Sequence, residues 1–216
     1  MSQYDAIVLG AGAAGLFCAA TAGQRGKRVL LIDHNDEPGR KILISGGGRC
    51  NFTNLHTAPD RYLSANPHFA KSALSRYTPR DFVELVESYG VAWHEKTLGQ
   101  LFCDGSARQI VAMLVEECTK GGVELRYGVA ASEVEHRDGH FRLAGASAPA
   151  LVIATGGPSI PKLGATSYAY DLARRFGLKV VQPRPALVPL TLAGEDVLFR
   201  ELSGVCLLYT SDAADE

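Results

Sequence analysis

The sequence predicts an α/β fold built on a parallel sheet, with a small antiparallel meander beside it. Three observations carry this. Tyr4 to Leu9 and Lys27 to Ile32 are short apolar runs that flank a helical stretch, Ala13 to Arg25, stopped by Gly26. Together they make a strand–helix–strand unit of about thirty residues, which reads as a βαβ with its strands buried on both faces. Ala150 to Ala154 is another apolar strand, ending in Thr155-Gly156-Gly157. Ser132 to His136 and His140 to Ala144 alternate around Asp138-Gly139, a strong hairpin signal.

The remaining elements follow in order. Asn35 to Asn54 is rich in glycine, polar and basic residues and has no apolar period. It reads as a long functional loop. Asn66 to Tyr77 is weakly helical. Thr78-Pro79-Arg80-Asp81 opens a clear helix, with Thr as cap, Pro in the first turn and an acid three residues after the cap. That helix stops at Gly90. Val91 to Glu95 and Gln100 to Cys103 resemble a hairpin around Gly99. Ser106 caps a helix over 107–120, closed by Gly121-Gly122. Val123 to Tyr127 is a strand and Tyr168 to Phe176 a helix. Gln182 to Leu190 is proline-rich, as a domain connector would be. No internal repeat is present.

Composition sets limits. The 216 residues hold 22 Lys plus Arg and 23 Asp plus Glu, a formal net charge of -1. On that balance no nucleic acid is expected as partner, and a small-molecule substrate is. No apolar run approaches membrane length, so no membrane is expected either. The five cysteines show no C-x-x-C or zinc spacing. Without a leader pattern they read as free thiols, which suits a cytoplasmic location. The histidines have no metal spacing, and no Ser/His/Asp arrangement suggests a hydrolase. Nothing sets the oligomeric state. The last residues, Cys206 to Glu216, break with what precedes them and resemble a translated sequencing adapter. A non-native tail is therefore expected over 206–216.

Gly10-Ala11-Gly12-Ala13-Ala14-Gly15 carries the chemistry. It is a G-x-G-x-x-G placed between strand and helix, as a Rossmann-like nucleotide site requires. Gly10 permits the tight turn, Gly12 lets backbone approach a pyrophosphate, and Gly15 lets the helix pack on the sheet. The helix N-terminus adds free N–H groups and a positive dipole. Asp33, at the end of the second strand, is placed to accept from a ribose diol. A chance glycine turn would not come with strand, helix and acid all in place.

The glycine motif alone does not separate NAD from FAD. Further on stand Glu37-Pro38-Gly39-Arg40-Lys41 and Ile44-Ser45-Gly46-Gly47-Gly48-Arg49-Cys50-Asn51-Phe52-Thr53-Asn54. Ala154 to Thr166 and Pro185 to Leu190 add two more segments. With these the chain, from Tyr4 to about Val205, resembles the HI0933-like (BaiN-like) flavoproteins. The resemblance implies FAD as cofactor and a flavin-dependent oxidoreductase. Hydride would pass from NAD(P)H through FAD to an organic substrate. A non-catalytic or RNA-associated flavoprotein is the rival class.

The resemblance also implies a binding set. Gly10, Gly12, Ala13, Ala14 and Gly15 would face the pyrophosphate, and Asp33 the adenosine ribose. His34 is equally a contact at the adenosine end or a solvated turn residue. Arg40 or Lys41 would neutralise phosphate charge. Ser45 and the bare backbone of Gly46, Gly47 and Gly48 would lie near the flavin, with Arg49 and Asn51 as donors. Cys50 sits in that loop, where packing is favoured over a redox role. Val129 would meet the adenine through its backbone, and Ala154, Thr155, Gly156 and Gly157 would close over the cofactor. No catalytic acid or base can be assigned. The sequence departs from the family pattern at Cys103, where proline is expected, and at Ala169, where glycine is. The implied organisation is an incomplete FAD-binding domain over 1–190 and the start of an inserted substrate domain over 191–205. The rest of that domain and a returning segment would lie outside this chain, leaving it inactive alone.

Overall fold

A computed structural model describes residues 1–131, 133–159 and 166–183. Met1–Leu178 form one compact unit. The expected connector from Arg184 onward, the segments 191–205 and 206–216, and the family segment at 160–165 lie outside the described residues.

The chain opens with β1 (Ser2–Gln3), β2 (Ala6–Leu9), α1 (Ala13–Gln24) and β3 (Val29–Ile32). Next come α2 (Arg40–Ile44), β4 (Asn51–Asn54), α3 (Lys71–Arg76), α4 (Pro79–Ser88), β5 (Trp93–Glu95) and β6 (Gln100–Cys103). Helix α5 (Ala107–Lys120) and β7 (Glu124–Arg126) lead into a meander of β8 (Glu135–Arg137), β9 (His140–Leu143) and β10 (Ala146–Ala148). Strand β11 (Ala150–Ile153) and α6 (Tyr168–Arg175) complete the described elements.

The central sheet is parallel, in the order β11-β2-β3-β7. The central strands β2 and β3 are apolar throughout because both faces are covered, whereas the edge strand β7 carries Glu124 and Arg126. The period of two divides their side chains cleanly. Val8, Val29 and Leu31 join α1 and α5 in one core, whereas Ile7, Leu9, Leu30 and Ile32 join the meander and Leu172 of α6 in the other. A mixed sheet, ordered β1-β10-β9-β8 and antiparallel but for the β1–β10 pair, takes most of the second face beside α6. Helices α1 and α5 approach closely because Gly23 lacks a side chain: a Cβ there would lie 2.5 Å from the Gly121 carbonyl oxygen.

Both capping predictions hold. Asp81 N–H donates to Thr78 Oγ1, and the Asp81 carboxylate accepts from Thr78 N–H at 2.6 Å. Ser106 and Gln109 make the same reciprocal pair at the start of α5. The helix ends are tied by one carboxylate. Glu117 accepts from Gln24 of α1 at 2.7 Å, from Lys120 at 2.9 Å, and from the Tyr89 hydroxyl that follows α4.

The expected loop over 35–54 contains α2, a left-handed glycine turn and β4. Strand β4 pairs antiparallel with β6, which also pairs with β5. Between β4 and α4 the chain makes an excursion with little regular structure beyond α3. Tyr77 anchors its end by packing edge-on against Phe17 at 4.8 Å. Every residue from Asp60 to Phe69 is exposed.

Candidate functional site

Gly10 and Gly15 of the glycine motif pack against Ala154, just past the end of β11. The Gly10 N–H donates to the Ile32 carbonyl, and Ala154 N–H donates to the Leu9 carbonyl. Gly10 has φ +104, and a Cβ on it would stand 2.5 Å from the Ala154 oxygen. A Cβ on Gly15 would stand 1.8 Å from the Gly10 oxygen. Both glycines are therefore required by the protein's own packing. Gly12 differs: a Cβ there would meet nothing within 4 Å. Above it lies open space at the N-terminus of α1, which has no side-chain cap and no acid in its first turn. Ala13 and Ala14 form that first turn.

Asp33 is buried, at 9% exposure, and holds the turn from below. Its Oδ2 accepts from Ala11 N–H at 2.5 Å, and its Oδ1 accepts from the backbone and side-chain amides of Asn35, both at 2.8 Å. Arg40 donates to Asn35 Oδ1 at 2.6 Å, linking it to the same cluster. The exposed His34 ring comes within 3.6 Å of Asp33 Oδ1. Val129 N–H donates to the Asp33 carbonyl at 2.9 Å, which leaves the Val129 carbonyl as the backbone group open to a ligand.

Helix α2 joins the turn through Gly39 N–H, which donates to the Ala11 carbonyl. From there Lys41 reaches across to the segment after β11. Its Nζ donates to Ser159 Oγ at 2.7 Å and lies 3.4 Å from the Gly157 carbonyl. Thr155, on that segment, carries a buried hydroxyl with no hydrogen-bond partner among the described residues. Thus Gly10 to Gly15, Asp33, Arg40, Lys41 and Ala154 to Gly157 are gathered at the carboxyl ends of β2, β3 and β11.

Ser45 to Asn51 follows directly from α2. Gly46, Gly47 and Gly48 all have positive φ, as does Cys50 at 51°. Gly46 has a packing reason as well, since its Cβ would press on the Phe102 ring at 2.6 Å. Ser45 Oγ donates to the Ile42 carbonyl. Cys50 is buried, and that burial raises its thiol pKa. With its amide oriented to satisfy its neighbours, Asn51 donates to the carbonyls of Thr53 and Leu101. Arg49 is exposed. Cys103 N–H donates to the Arg49 carbonyl, a bond that the proline expected at this position could not make.

The open ground above Gly12, the partnerless Thr155 hydroxyl and the cationic Arg40 and Lys41 fit the pyrophosphate of a dinucleotide. The model of the HI0933-like protein Rossmann domain matches residues 4–207. The chain belongs to this family. Its fold and class are those expected: a Rossmann-like FAD-binding domain of flavin-dependent oxidoreductases. The chain is 58% identical over 196 residues to a ribosomal RNA dihydrouridine synthase of Escherichia coli strain K12, covering 89% of this chain and 49% of that protein. It is 48% identical over 222 residues to the protein of the same name from Haemophilus influenzae, covering 99% and 55%. The chain thus spans about half the length of these relatives. Among solved structures, the open conformation of a flavocytochrome c3 fumarate reductase aligns with a TM-score of 0.53 at 18% identity. It covers 81% of this chain and 40% of its own, a likeness of fold.

One expectation is overturned. A small-molecule substrate with no nucleic acid does not stand beside two family members named for ribosomal RNA. A net charge of -1 over the whole chain hides where the charges lie. Phosphate contacts are local, and a sum over the whole chain does not register them. Among the described residues, no helix is long and apolar enough to cross a membrane.

Proposed function

We propose that the full-length protein reduces uridine in ribosomal RNA to dihydrouridine, with FAD as its cofactor. The observation that carries this reading is the 58% identity over 196 residues to the Escherichia coli enzyme of that activity. Dihydrouridine differs from uridine by two hydrogens across the C5–C6 double bond. The bound flavin would supply the hydride, with NAD(P)H as its electron source.

The residues of this chain bind and orient. Gly12, Ala13 and Ala14 offer backbone N–H groups to the pyrophosphate. Lys41 and Arg40 offset its charge, and the Thr155 hydroxyl finds its partner there. Asp33 acts twice. Its carboxylate fixes the Ala11 N–H and hence the shape of the turn, and its remaining acceptor capacity serves the ribose. Gly47 and Gly48 present backbone without side chains to the flavin, and Arg49 stays free to meet an anion. A cytoplasmic location goes with an RNA substrate of this kind.

The test uses the purified full-length protein. It should be yellow, and NADH or NADPH should bleach it. Incubation with ribosomal RNA from a strain lacking the gene should yield dihydrouridine, read by mass spectrometry of the nucleosides. A flavin that is reduced while no dihydrouridine forms would overturn the substrate. A colourless protein that takes up no FAD would overturn the cofactor.

A further inference from the structure

Charge is unevenly spread along the chain. From Arg40 to Arg80 stand seven of the 22 basic residues and one of the 23 acids, Asp60. The basic run begins at the nucleotide turn, passes the glycine loop and ends in the exposed excursion between β4 and α4. There the side chains have an unusual mixture. Leu63 is 98% exposed, Phe69 80% and Tyr62 49%. Arg61, Lys71 and Arg76 stand among them. Among the described residues neither Lys71 nor Arg76 has a carboxylate partner, and Arg61 has only the equally exposed Asp60 at 3.8 Å. Such a pair contributes little.

Exposed aromatic rings set among unpaired cations have a chemical meaning. Faces covered by protein also favour Tyr, Phe and Arg, but they are depleted of lysine at their centre, and Lys71 stands within this one. Single-stranded nucleic acid asks for both features at once: rings for the bases and cations for the phosphates. We propose that the excursion over 60–76 is an RNA-docking surface. Arg61, Lys71 and Arg76 meet backbone phosphates, and Tyr62 and Phe69 stack on unpaired bases. The surface leaves directly from β4, which continues the glycine loop assigned to the flavin. RNA held there is led toward the reacting end of the cofactor. This inference rests on the reading of ribosomal RNA as substrate.

The experiment uses the full-length flavoprotein and deproteinised ribosomal RNA from a strain lacking the gene. Binding is measured by filter retention across a series of salt concentrations, beside FAD content and melting temperature. The double substitution Lys71→Gln with Arg76→Gln should lower the slope of log K against log salt by about 1.4 and weaken binding about tenfold. Tyr62→Ala with Phe69→Ala should weaken binding about tenfold with the slope unchanged. Lys71→Arg with Arg76→Lys keeps both charges and should bind as wild type. All variants should keep their FAD and melting temperature. Wild-type binding with neither neutral pair altering affinity or slope would overturn the docking surface and leave the substrate reading standing. A lower melting temperature for the Tyr62 and Phe69 pair, with RNA binding intact, would show the rings covered by protein and also overturn it. A wild type that binds no RNA would remove the substrate reading and this inference together.

Discussion

Gly12 and Gly15 lie three residues apart and respond to a methyl group in opposite ways. Gly15→Ala drives a carbon to 1.8 Å from the Gly10 oxygen, and backbone must move. It should cost about 3 kcal/mol or more, read as a lowered melting temperature without any ligand. Gly12→Ala meets nothing within 4 Å. It should leave the melting temperature of the FAD-free protein nearly unchanged and weaken FAD binding by at least about tenfold, because the methyl fills the ground a pyrophosphate takes. Equal stability losses in the two variants would refute this division. The motif was legible because its spacing follows from a turn. The partners of single side chains were not. Cys50 shows the limit: its left-handed backbone and burial depend on β6, distant in sequence. Burial pushes the thiols of Cys103 and Cys118 up to about 11 and raises Cys50 as well. At pH 8 an alkylating reagent should therefore modify the half-buried Cys18 before these three, as read by peptide mass mapping. Rapid labelling of Cys50 would reopen a redox role.

Helices α4 and α5 announce themselves because their signals are local: a cap, an acid or amide three residues on, and a closing glycine. Thr78→Ala should cost about 1 kcal/mol, seen as a shift in the denaturation midpoint. Helix α2 and strand β4 gave no such signal. The first is short and opens at a left-handed glycine, Gly39, and the second exists through pairing with β6. The contact that ties the helices is also non-local. Burial works to raise the Glu117 pKa, but hydrogen bonds from Tyr89, Gln24 and Lys120 outweigh it and hold the value below the ordinary 4.5. A carboxylate lowered on folding contributes its full stability above its unfolded pKa. That contribution is lost as the pH falls through the folded value. Glu117→Gln should thus lower stability at pH 7 by about 1 to 2 kcal/mol. The variant should also lose less further stability than wild type between pH 5 and pH 3. Parallel acid-unfolding curves would refute the assignment.

At the scale of the whole molecule, the parallel sheet was readable because buried strands must be apolar on both faces. The cover of its second face was less so: a meander of short strands buries Val134, Leu143, Ala146 and Ala148 with few apolar residues per strand. The proposed nucleic-acid partner was hidden by averaging. A net charge of -1 conceals a 41-residue stretch with a single acid. If that stretch meets phosphate, RNA binding by the full-length protein should weaken steeply between 50 and 200 mM salt, roughly tenfold or more for three phosphate contacts. FAD binding, held in a partly enclosed turn, should change far less over the same range.

The closure of the glycine turn by β11 also sets a clock. The motif is complete by Gly15, and its acid by Asp33. Yet Ala154 and Thr155, which pack over Gly10, leave the ribosome some 140 residues after the turn. At about 5 to 20 residues per second that is a delay of roughly 7 to 30 s. During this interval the nascent chain displays a nucleotide motif without its neighbouring strand. Uptake of the cofactor therefore belongs to the end of this domain's synthesis, not to the emergence of its most recognisable sequence.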